Sequence, residues 1–139
     1  MTQPPFSIPV RVYYEDTDSG GVVYHANYLR FMERARTEWL RSLGFEQQRL
    51  LEDHVAFAVA RVEVDYRGPA RLDDLLTVTA DLERTASRVS IQFVQRISKD
   101  DELLTRGFVK IVCIDTRSFR PTSIPQSLRD AFLNTRKLS

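Results

Sequence analysis

The feature that most constrains the fold is one amphipathic helix followed by a series of strands. From Asn27 to Leu43, apolar residues recur at spacings of three and four, which predicts a helix with a single apolar stripe. The stripe consists of Tyr28, Phe31, Met32, Ala35, Trp39 and Leu43. Because a helix needs a second layer to bury such a stripe, the rest of the chain must supply a surface that covers it.

Alternating and β-branched segments predict five strands for that layer. They run from Ser7 to Tyr14, Val55 to Tyr66, Leu75 to Leu82, Val89 to Ser98 and Leu103 to Asp115. The last four are joined by hairpin-length connections, which make neighbouring strands antiparallel. Short helices are predicted from Glu46 to Asp53 and from Pro125 to Phe132. The expected fold class is α+β, with a five-stranded antiparallel sheet wrapped round a long central helix.

The strand patterns also predict faces. Leu76, Val78, Ala80 and Leu82 share one face of the third strand, and Val10, Val12 and Tyr14 share one face of the first. The last strand is apolar on both faces, with Leu104, Phe108, Val112 and Ile114 on one and Val109, Ile111 and Cys113 on the other. A single helix cannot cover both faces of the sheet, so we expect a partner subunit on the second face. A C-terminal helix packed on the back of the sheet is the alternative.

Length and composition exclude several classes of protein. A chain of 139 residues fits one domain, with residues 1–6 as a flexible tail. The formal net charge of +1 does not indicate nucleic-acid binding, which needs a clustered basic excess. Neither a signal peptide nor a membrane-spanning run is found, and the single cysteine cannot form an internal disulfide, so we expect a cytoplasmic protein.

Chemistry is concentrated in the segment YEDTDSGGVVYHANY, between the first strand and the long helix. The acids Asp16 and Asp18 precede two glycines, and His25 lies at the predicted helix start. The first N–H groups of a helix have no intrahelical partner and lie at the positive end of its dipole. Such donors can polarise a carbonyl and stabilise an oxyanion. A carboxylate on the same loop can reach that carbonyl carbon or a water beside it.

Simpler interpretations of these residues stay open. Asp16 and Asp18 can cap turns, and His25 can be an ordinary residue at a helix start. A metal site is not expected, because the chain has two histidines and one cysteine without metal-binding spacing. Cys113 lies in an apolar strand and is expected to be an inert buried thiol. The absence of a G-x-S-x-G segment argues against a serine hydrolase.

The segment RVYYEDTDSGGVVYHANYLRFMERART resembles hotdog proteins of the 4-hydroxybenzoyl-CoA thioesterase type, and looks closest to the Tol–Pal-associated acyl-CoA thioesterase subgroup. AFAVARVEVDYRGPARLDDLLTV and VCIDTRSFRPTSIP are similar to the same subgroup, so the likeness covers about Val10 to Phe132. The resemblance implies a hotdog fold and acyl-CoA hydrolysis without a metal or redox cofactor. It also implies homodimers, often paired into homotetramers, with the active site at a subunit interface.

The resemblance assigns roles to individual residues. Asp18 is implied as the catalytic nucleophile or general base, and the N–H of His25 as the group that polarises the substrate carbonyl, with a possible contribution of its side chain. Tyr24, Asn27 and Tyr28 are expected to shape the substrate pocket or the helix start. Candidates for the CoA phosphates are Arg84, Arg88 and Arg96, although a solvated surface is the simpler reading of each. Glu33 and Glu38 are rival carboxylates on the helix, for which salt bridges are the expected role.

Three hypotheses follow for function. The first is hydrolysis of acyl-CoA to a free acid and CoA, with acyl carrier protein as an alternative carrier. The second is a hydratase or dehydratase on the same fold, which would recruit His25 for proton transfer. The third is a non-catalytic scaffold that binds acyl groups or acyl carrier protein in envelope-lipid machinery. The acyl chain and the oligomer size are not determined by the sequence.

Overall fold

Residues 4–84 and 87–138 are described by the structure, a computed structural model, without the side chains of residues 84 and 136–138. The helices are α1 (Asn27–Ser42), α2 (Gln47–Glu52) and α3 (Gln126–Leu138). The strands are β1 (Phe6–Arg11), β2 (Val55–Tyr66), β3 (Leu75–Arg84), β4 (Ser90–Lys99) and β5 (Glu102–Asp115). The predicted tail falls partly on residues 1–3, which lie outside the described ranges, and β1 already begins at Phe6.

All strand pairs of the sheet are antiparallel, in the order β1-β3-β4-β5-β2. The hairpin predicted between β2 and β3 was wrong, because β2 pairs with β5, whereas β3 lies between β1 and β4. The predicted stripe of α1 packs against one face of this sheet, with Leu43 half-buried at its end. The inward face predicted for β3 is confirmed, because Leu76, Val78, Ala80 and Leu82 are all buried. The β4–β5 hairpin pairs Lys99 with Glu102 and turns at Asp100 and Asp101, so the hairpin connection predicted between these two strands is confirmed. The predicted α+β architecture is therefore confirmed.

The first strand is shorter than predicted. β1 ends at Arg11, and Tyr14–Asp16 form a 3-10 turn in which the N–H of Thr17 donates to the carbonyl of Tyr14. Val10 and Val12 are buried as expected, but the Tyr14 side chain is 83% exposed. Placing Tyr14 on their face was wrong, because the turn interrupts the alternation of a strand.

The C-terminal helix is longer than predicted and lies on the α1 side of the sheet. Phe132 is buried with its ring centroid 5.2 Å from that of Trp39 on α1, and Trp39 also contacts Phe93 of β4. The alternative in which this helix covers the back of the sheet was therefore wrong. In the described part of the chain no helix covers the back, where Phe108 and Val112 are half-buried.

A polar link inside the core was not predicted. Gln95 of β4 is 0% exposed and donates to the carbonyls of Met32 (2.9 Å) and Thr79 (3.0 Å). Its carbonyl oxygen accepts a hydrogen bond from Arg36 at 2.9 Å. Burial lowers the pKa of the Arg36 guanidinium, and the charge of Glu33 partly offsets this effect. Gln95 thus joins the middle of α1 to two strands of the sheet.

Replacing this glutamine by leucine should destabilise the fold. Gln95→Leu fills a similar volume but leaves the Arg36 guanidinium without its partner, so we expect the free energy of unfolding to fall by about 2 kcal/mol. Urea denaturation measures the change. The control is Gln47→Leu, which removes an exposed hydrogen bond to Thr37 and should shift the same value by less than about 0.5 kcal/mol. Equal effects of the two substitutions would contradict the structural role of Gln95.

Candidate active site

The loop between β1 and α1 is closed by backbone pairing. An isolated antiparallel bridge joins Thr17 to Val23. Between them, the N–H of Asp18 donates to the carbonyl of Val22 at 2.9 Å, and the N–H of Gly21 donates to the carbonyl of Asp18 at 3.1 Å. The N–H of Val23 binds the carbonyl of Ala70 at 2.8 Å, which ties the loop to the segment before β3. Asp18 is therefore held on a fixed backbone.

Both glycines of the motif have a steric reason to be there. Gly21 has a φ of +81°, in the left-handed region where a side chain is strained. At Gly20, an added Cβ would lie 3.2 Å from Oδ1 of Asp18, so a side chain there would crowd the carboxylate. The pair thus sets the turn and leaves space around Asp18.

Asp18 presents an accessible carboxylate. Its Oδ1 accepts a hydrogen bond from the N–H of Gly20 at 2.8 Å, and in the described part of the chain Oδ2 has no protein partner. Burial is the main cause that raises the pKa of the Tyr28 hydroxyl, and the negative charges of Asp18 and Asp74 raise it further. The negative charge of Asp18 therefore acts on the hydroxyl of Tyr28, a residue of the first turn of α1.

Asp16 has the structural role that the simpler interpretation allowed for both acids. It is 5% exposed. Its Oδ2 accepts a hydrogen bond from the N–H of Tyr13, and its Oδ1 accepts one from the Asn27 side chain, both at 2.9 Å. Its carbonyl accepts the N–H of Tyr24 at 2.9 Å. Asp16 and Asn27 together fix the loop against the start of α1, and Asn27 is buried in that role.

The start of α1 offers unused amides. The N-cap residue is Ala26, which has no side-chain cap, and no acidic residue lies in the first helical turn. The N–H of Asn27 donates to the carbonyl of Tyr24 at 2.8 Å, which makes a turn with His25 and Ala26 at its centre. Within the described ranges, the N–H groups of His25 and Ala26 have no protein acceptor. Unused donors at a helix N-terminus suit a developing oxyanion.

Aromatic side chains surround this helix start. The exposed ring of Tyr24 lies 4.5 Å from the imidazole of His25, centroid to centroid. Tyr28 is buried, and its hydroxyl accepts the N–H of Ala70 at 3.0 Å. Tyr66, at the end of β2, contacts the rings of both His25 and Tyr28. The sequence did not indicate Tyr66 as a site residue, because nothing in its spacing connects the end of a distant strand to this loop.

Other candidate residues lie apart from this cluster. Glu38 forms an ion pair with Arg41, as expected. Arg88 donates to the hydroxyl of Ser123, and the side chain of Arg84 lies outside what the structure describes. Arg96 lies on the sheet, with its N–H bonded to the Thr79 hydroxyl. A cavity of about 140 Å³ beside the second half of α1 is lined by apolar and aromatic side chains, together with Glu33 and Arg36, and includes neither Asp18 nor His25.

Cys113 is a poor nucleophile in this structure. Its side chain is fully buried, and burial raises the pKa of its thiol to about 11. The reactive form of cysteine is the thiolate, which is scarce at neutral pH when the pKa is this high. Among the residues that the structure describes, no group of three or more His, Cys, Asp and Glu side chains could hold a metal ion. No described helix is long and apolar enough to cross a membrane.

A family model described as "Thioesterase-like superfamily" matches residues 12–132. The chain belongs to the thioesterase-like superfamily. The acyl-CoA thioesterase YbgC of Haemophilus influenzae is 48% identical over 133 residues, which cover 95% of this chain and 97% of the relative. The acyl-CoA thioester hydrolase YbgC of Escherichia coli O6:H1 is 49% identical over 130 residues, 92% of this chain and 96% of the relative.

A solved structure of this superfamily supports the fold. The 1,4-dihydroxy-2-naphthoyl-CoA thioesterase from Synechocystis superposes with a TM-score of 0.87 at 27% identity, covering 94% of this chain and 97% of that one. The hotdog thioesterase fold implied by the sequence motif is therefore confirmed. Membership in the thioesterase-like superfamily agrees with an exposed carboxylate on the loop that leads into α1.

Proposed function

We propose that this chain hydrolyses acyl-CoA thioesters to a free carboxylic acid and CoA, with Asp18 as the catalytic carboxylate. The observation that carries the proposal is the placement of Asp18. Its carboxylate is exposed and held by the N–H of Gly20, on the loop that leads into a helix start whose first amides have no acceptor within the described residues. The names of the YbgC relatives, which match almost the whole chain, support the same reaction.

The reaction needs an attacking group and an oxyanion site. Asp18 either attacks the thioester carbonyl, forming an anhydride that water then opens, or takes a proton from a water that attacks directly. In both routes the carbonyl oxygen becomes an oxyanion, which the N–H of His25 stabilises. Collapse of the tetrahedral intermediate breaks the carbon–sulfur bond and releases the CoA thiolate, which takes up a proton. The imidazole of His25 lies beside Tyr24 and is available at the same surface.

Isotope label found in Asp18 identifies the covalent route. In a single turnover in ¹⁸O-labelled water, the general-base route places the label only in the product acid. In the covalent route, water that opens the anhydride at the Asp18 carbonyl places label in the Asp18 carboxylate, whereas water that opens it at the acyl carbonyl places label in the product acid. Mass spectrometry of the peptide that contains Asp18 reads the difference.

A substrate panel tests the proposed function. Purified protein should release CoA thiol from straight-chain acyl-CoAs of increasing length or from aryl-CoAs, followed with a thiol reagent. Acyl carrier protein loaded with the same groups tests the second carrier. Crotonyl-CoA hydration, measured in parallel, should be slower than thioester cleavage. If no thioester is cleaved, or if hydration is faster, the proposed function is wrong.

We also propose that the protein is a homodimer, or a dimer of dimers, that works in the cytoplasm. β2 is a twelve-residue strand at the edge of the sheet, and Val59, Val62 and Tyr66 on it are exposed. A long edge strand with exposed apolar residues is a pairing surface unless something covers it. Light scattering coupled to size-exclusion chromatography should give two or four times the mass of the 139-residue chain, and a monomer would contradict this assignment.

We also propose association with Tol–Pal or envelope-lipid proteins, which rests on the sequence resemblance.

A further inference from the structure

The hydroxyl of Tyr66 connects the end of β2 to the start of α1. It donates a hydrogen bond of 2.9 Å to the backbone carbonyl of His25, across 41 positions of sequence. Tyr66 is the last residue of β2 and pairs with Thr105 of β5, so its backbone is fixed by the sheet. The bond therefore links a rigid strand to a peptide group of the candidate active site.

The ring of Tyr66 is oriented by two other aromatic groups. It lies 5.5 Å from the ring of Tyr28 and 6.4 Å from the imidazole of His25, both in edge-to-face arrangements. Tyr28 is itself fixed, because it is buried and its hydroxyl binds the N–H of Ala70. Tyr66 is 48% exposed, so part of it lies at the protein surface. Burial and the neighbouring Tyr28 raise the pKa of Tyr66, which keeps the hydroxyl a donor at neutral pH.

The position of the accepted carbonyl matters for the reaction. A trans peptide group is planar, so the C=O of His25 and the N–H of Ala26 point in opposite directions within one rigid unit. A bond that fixes this C=O therefore also fixes the N–H of Ala26. Ala26 is the N-cap of α1, and its N–H follows that of His25, the donor already assigned to the oxyanion. Within the described residues neither N–H has a protein acceptor.

We propose that Tyr66 is a positioning residue whose hydroxyl holds the His25–Ala26 peptide, so that the N–H of Ala26 serves as a second oxyanion donor beside that of His25. The proposal rests on the proposed function and adds a donor and its support. Oxyanion donors act only when they are aimed at the developing charge, and a catalytic group needs to be held within about 10–20° of its productive direction. A turn whose centre residues are the exposed His25 and the half-buried Ala26 does not supply such rigidity alone.

Tyr66→Phe tests the role, because it removes the hydroxyl and keeps the ring between Tyr28 and His25. We expect kcat for acyl-CoA hydrolysis to fall about tenfold, while KM changes less than about twofold, because the lost interaction acts on the transition state. The shape of the pH–rate profile should stay the same, since Tyr66 transfers no proton. The control is Tyr14→Phe, which removes the hydroxyl of an exposed tyrosine away from this contact and should leave kcat unchanged.

A spectroscopic measurement reports the same peptide without relying on activity. The chain has two histidines, and His25 is the one followed by alanine. Labelling with 1-¹³C-histidine and ¹⁵N-alanine therefore gives a single carbonyl–amide correlation, from the His25–Ala26 peptide. This peak should shift in Tyr66→Phe and stay in place in Tyr14→Phe. The carbonyl of His54, which accepts the N–H of Thr116, provides an internal reference in the carbonyl spectrum.

Each outcome has a distinct meaning. A fall in kcat together with a shifted peak supports the proposal. An unchanged kcat in Tyr66→Phe overturns it, as does a rise in KM at constant kcat, which would make Tyr66 a substrate contact. Loss of one limb of the pH profile would make it a proton donor and also overturns the positioning role. If the wild-type protein and Tyr14→Phe both fail to cleave thioesters, the proposed function itself has failed, and the labelled peak then tests the contact alone.

Discussion

Asp18→Asn should reduce kcat for acyl-CoA hydrolysis about 1,000-fold, because an amide neither attacks the thioester carbonyl nor takes a proton from water. The substitution is nearly isosteric. An asparagine oxygen can still accept the N–H of Gly20, which Oδ1 of Asp18 accepts at 2.8 Å, so the loop should keep its shape. KM should change little, since the side chain acts on the reacting carbon rather than on the CoA moiety. Steady-state kinetics on the best acyl-CoA of the panel measure both constants.

The matched control is Glu15→Gln, which converts a neighbouring exposed acid to its amide. Glu15 makes no side-chain hydrogen bond or ion pair within the described part of the chain, so its loss should leave kcat within about twofold. The melting temperature of Asp18→Asn should match that of the wild type, since Asp18 is exposed and loses no partner. A variant at position 18 that keeps more than a tenth of the wild-type kcat would contradict the catalytic assignment.

The parts of the fold that could be predicted are those with a strong period. The apolar stripe of α1 predicts a helix, and the alternation of Leu75–Leu82 predicts a strand. In each case any other conformation would scatter the apolar residues and leave some of them exposed. β2 was predicted with its observed bounds, Val55–Tyr66, since a turn signal at Gly68 and Pro69 follows it. The site motif could be placed at a strand-to-helix loop for the same reason, because both flanking elements were strongly periodic.

The parts that could not be predicted depend on contacts between distant residues. The sequence indicates only that Gln95 is a polar residue in a strand. In the folded chain its buried carbonyl oxygen accepts a hydrogen bond from Arg36, which is 59 positions away. Tyr66 reads as the end of a strand, and its contact with His25 spans 41 positions. The turn at Tyr14–Asp16 depends on the Asp16 side chain, which accepts the N–H of Tyr13. The alternation of apolar residues does not predict this hydrogen bond. Such residues need the fold before their partners can be named.

The two aspartates of the D-T-D run illustrate this limit. In the sequence they look alike, and capping remained an alternative for both. In the structure Asp16 is 5% exposed and accepts two hydrogen bonds through its carboxylate, whereas Asp18 is exposed and its Oδ2 has no partner among the residues that the structure describes. Substitution of Asp18 should therefore reduce catalysis, whereas substitution of Asp16 should reduce stability.

Asp16→Ala should lower the free energy of unfolding by about 3 kcal/mol. The substitution leaves the N–H of Tyr13 and the buried amide of Asn27 without their acceptor, and hydrogen bonds to a charged group contribute about 1.5–3 kcal/mol each. For a domain of this size the melting temperature should fall by roughly 10 °C. Denaturant titration and thermal melting measure the two quantities, with Glu15→Ala as the exposed neighbour that should change neither.

Asp16→Asn separates the contribution of the hydrogen bonds from that of the charge. The side-chain amide of Asn27 can turn to offer its oxygen, so an asparagine at position 16 can keep both contacts in uncharged form. Its loss of stability should therefore be about half that of Asp16→Ala. Because Asp16 does not touch the thioester in the proposed mechanism, the kcat of Asp16→Asn, measured well below its melting temperature, should stay far above that of Asp18→Asn. If Asp16→Asn is stable but inactive, the assignment is contradicted, and Asp16 rather than Asp18 would be the catalytic carboxylate.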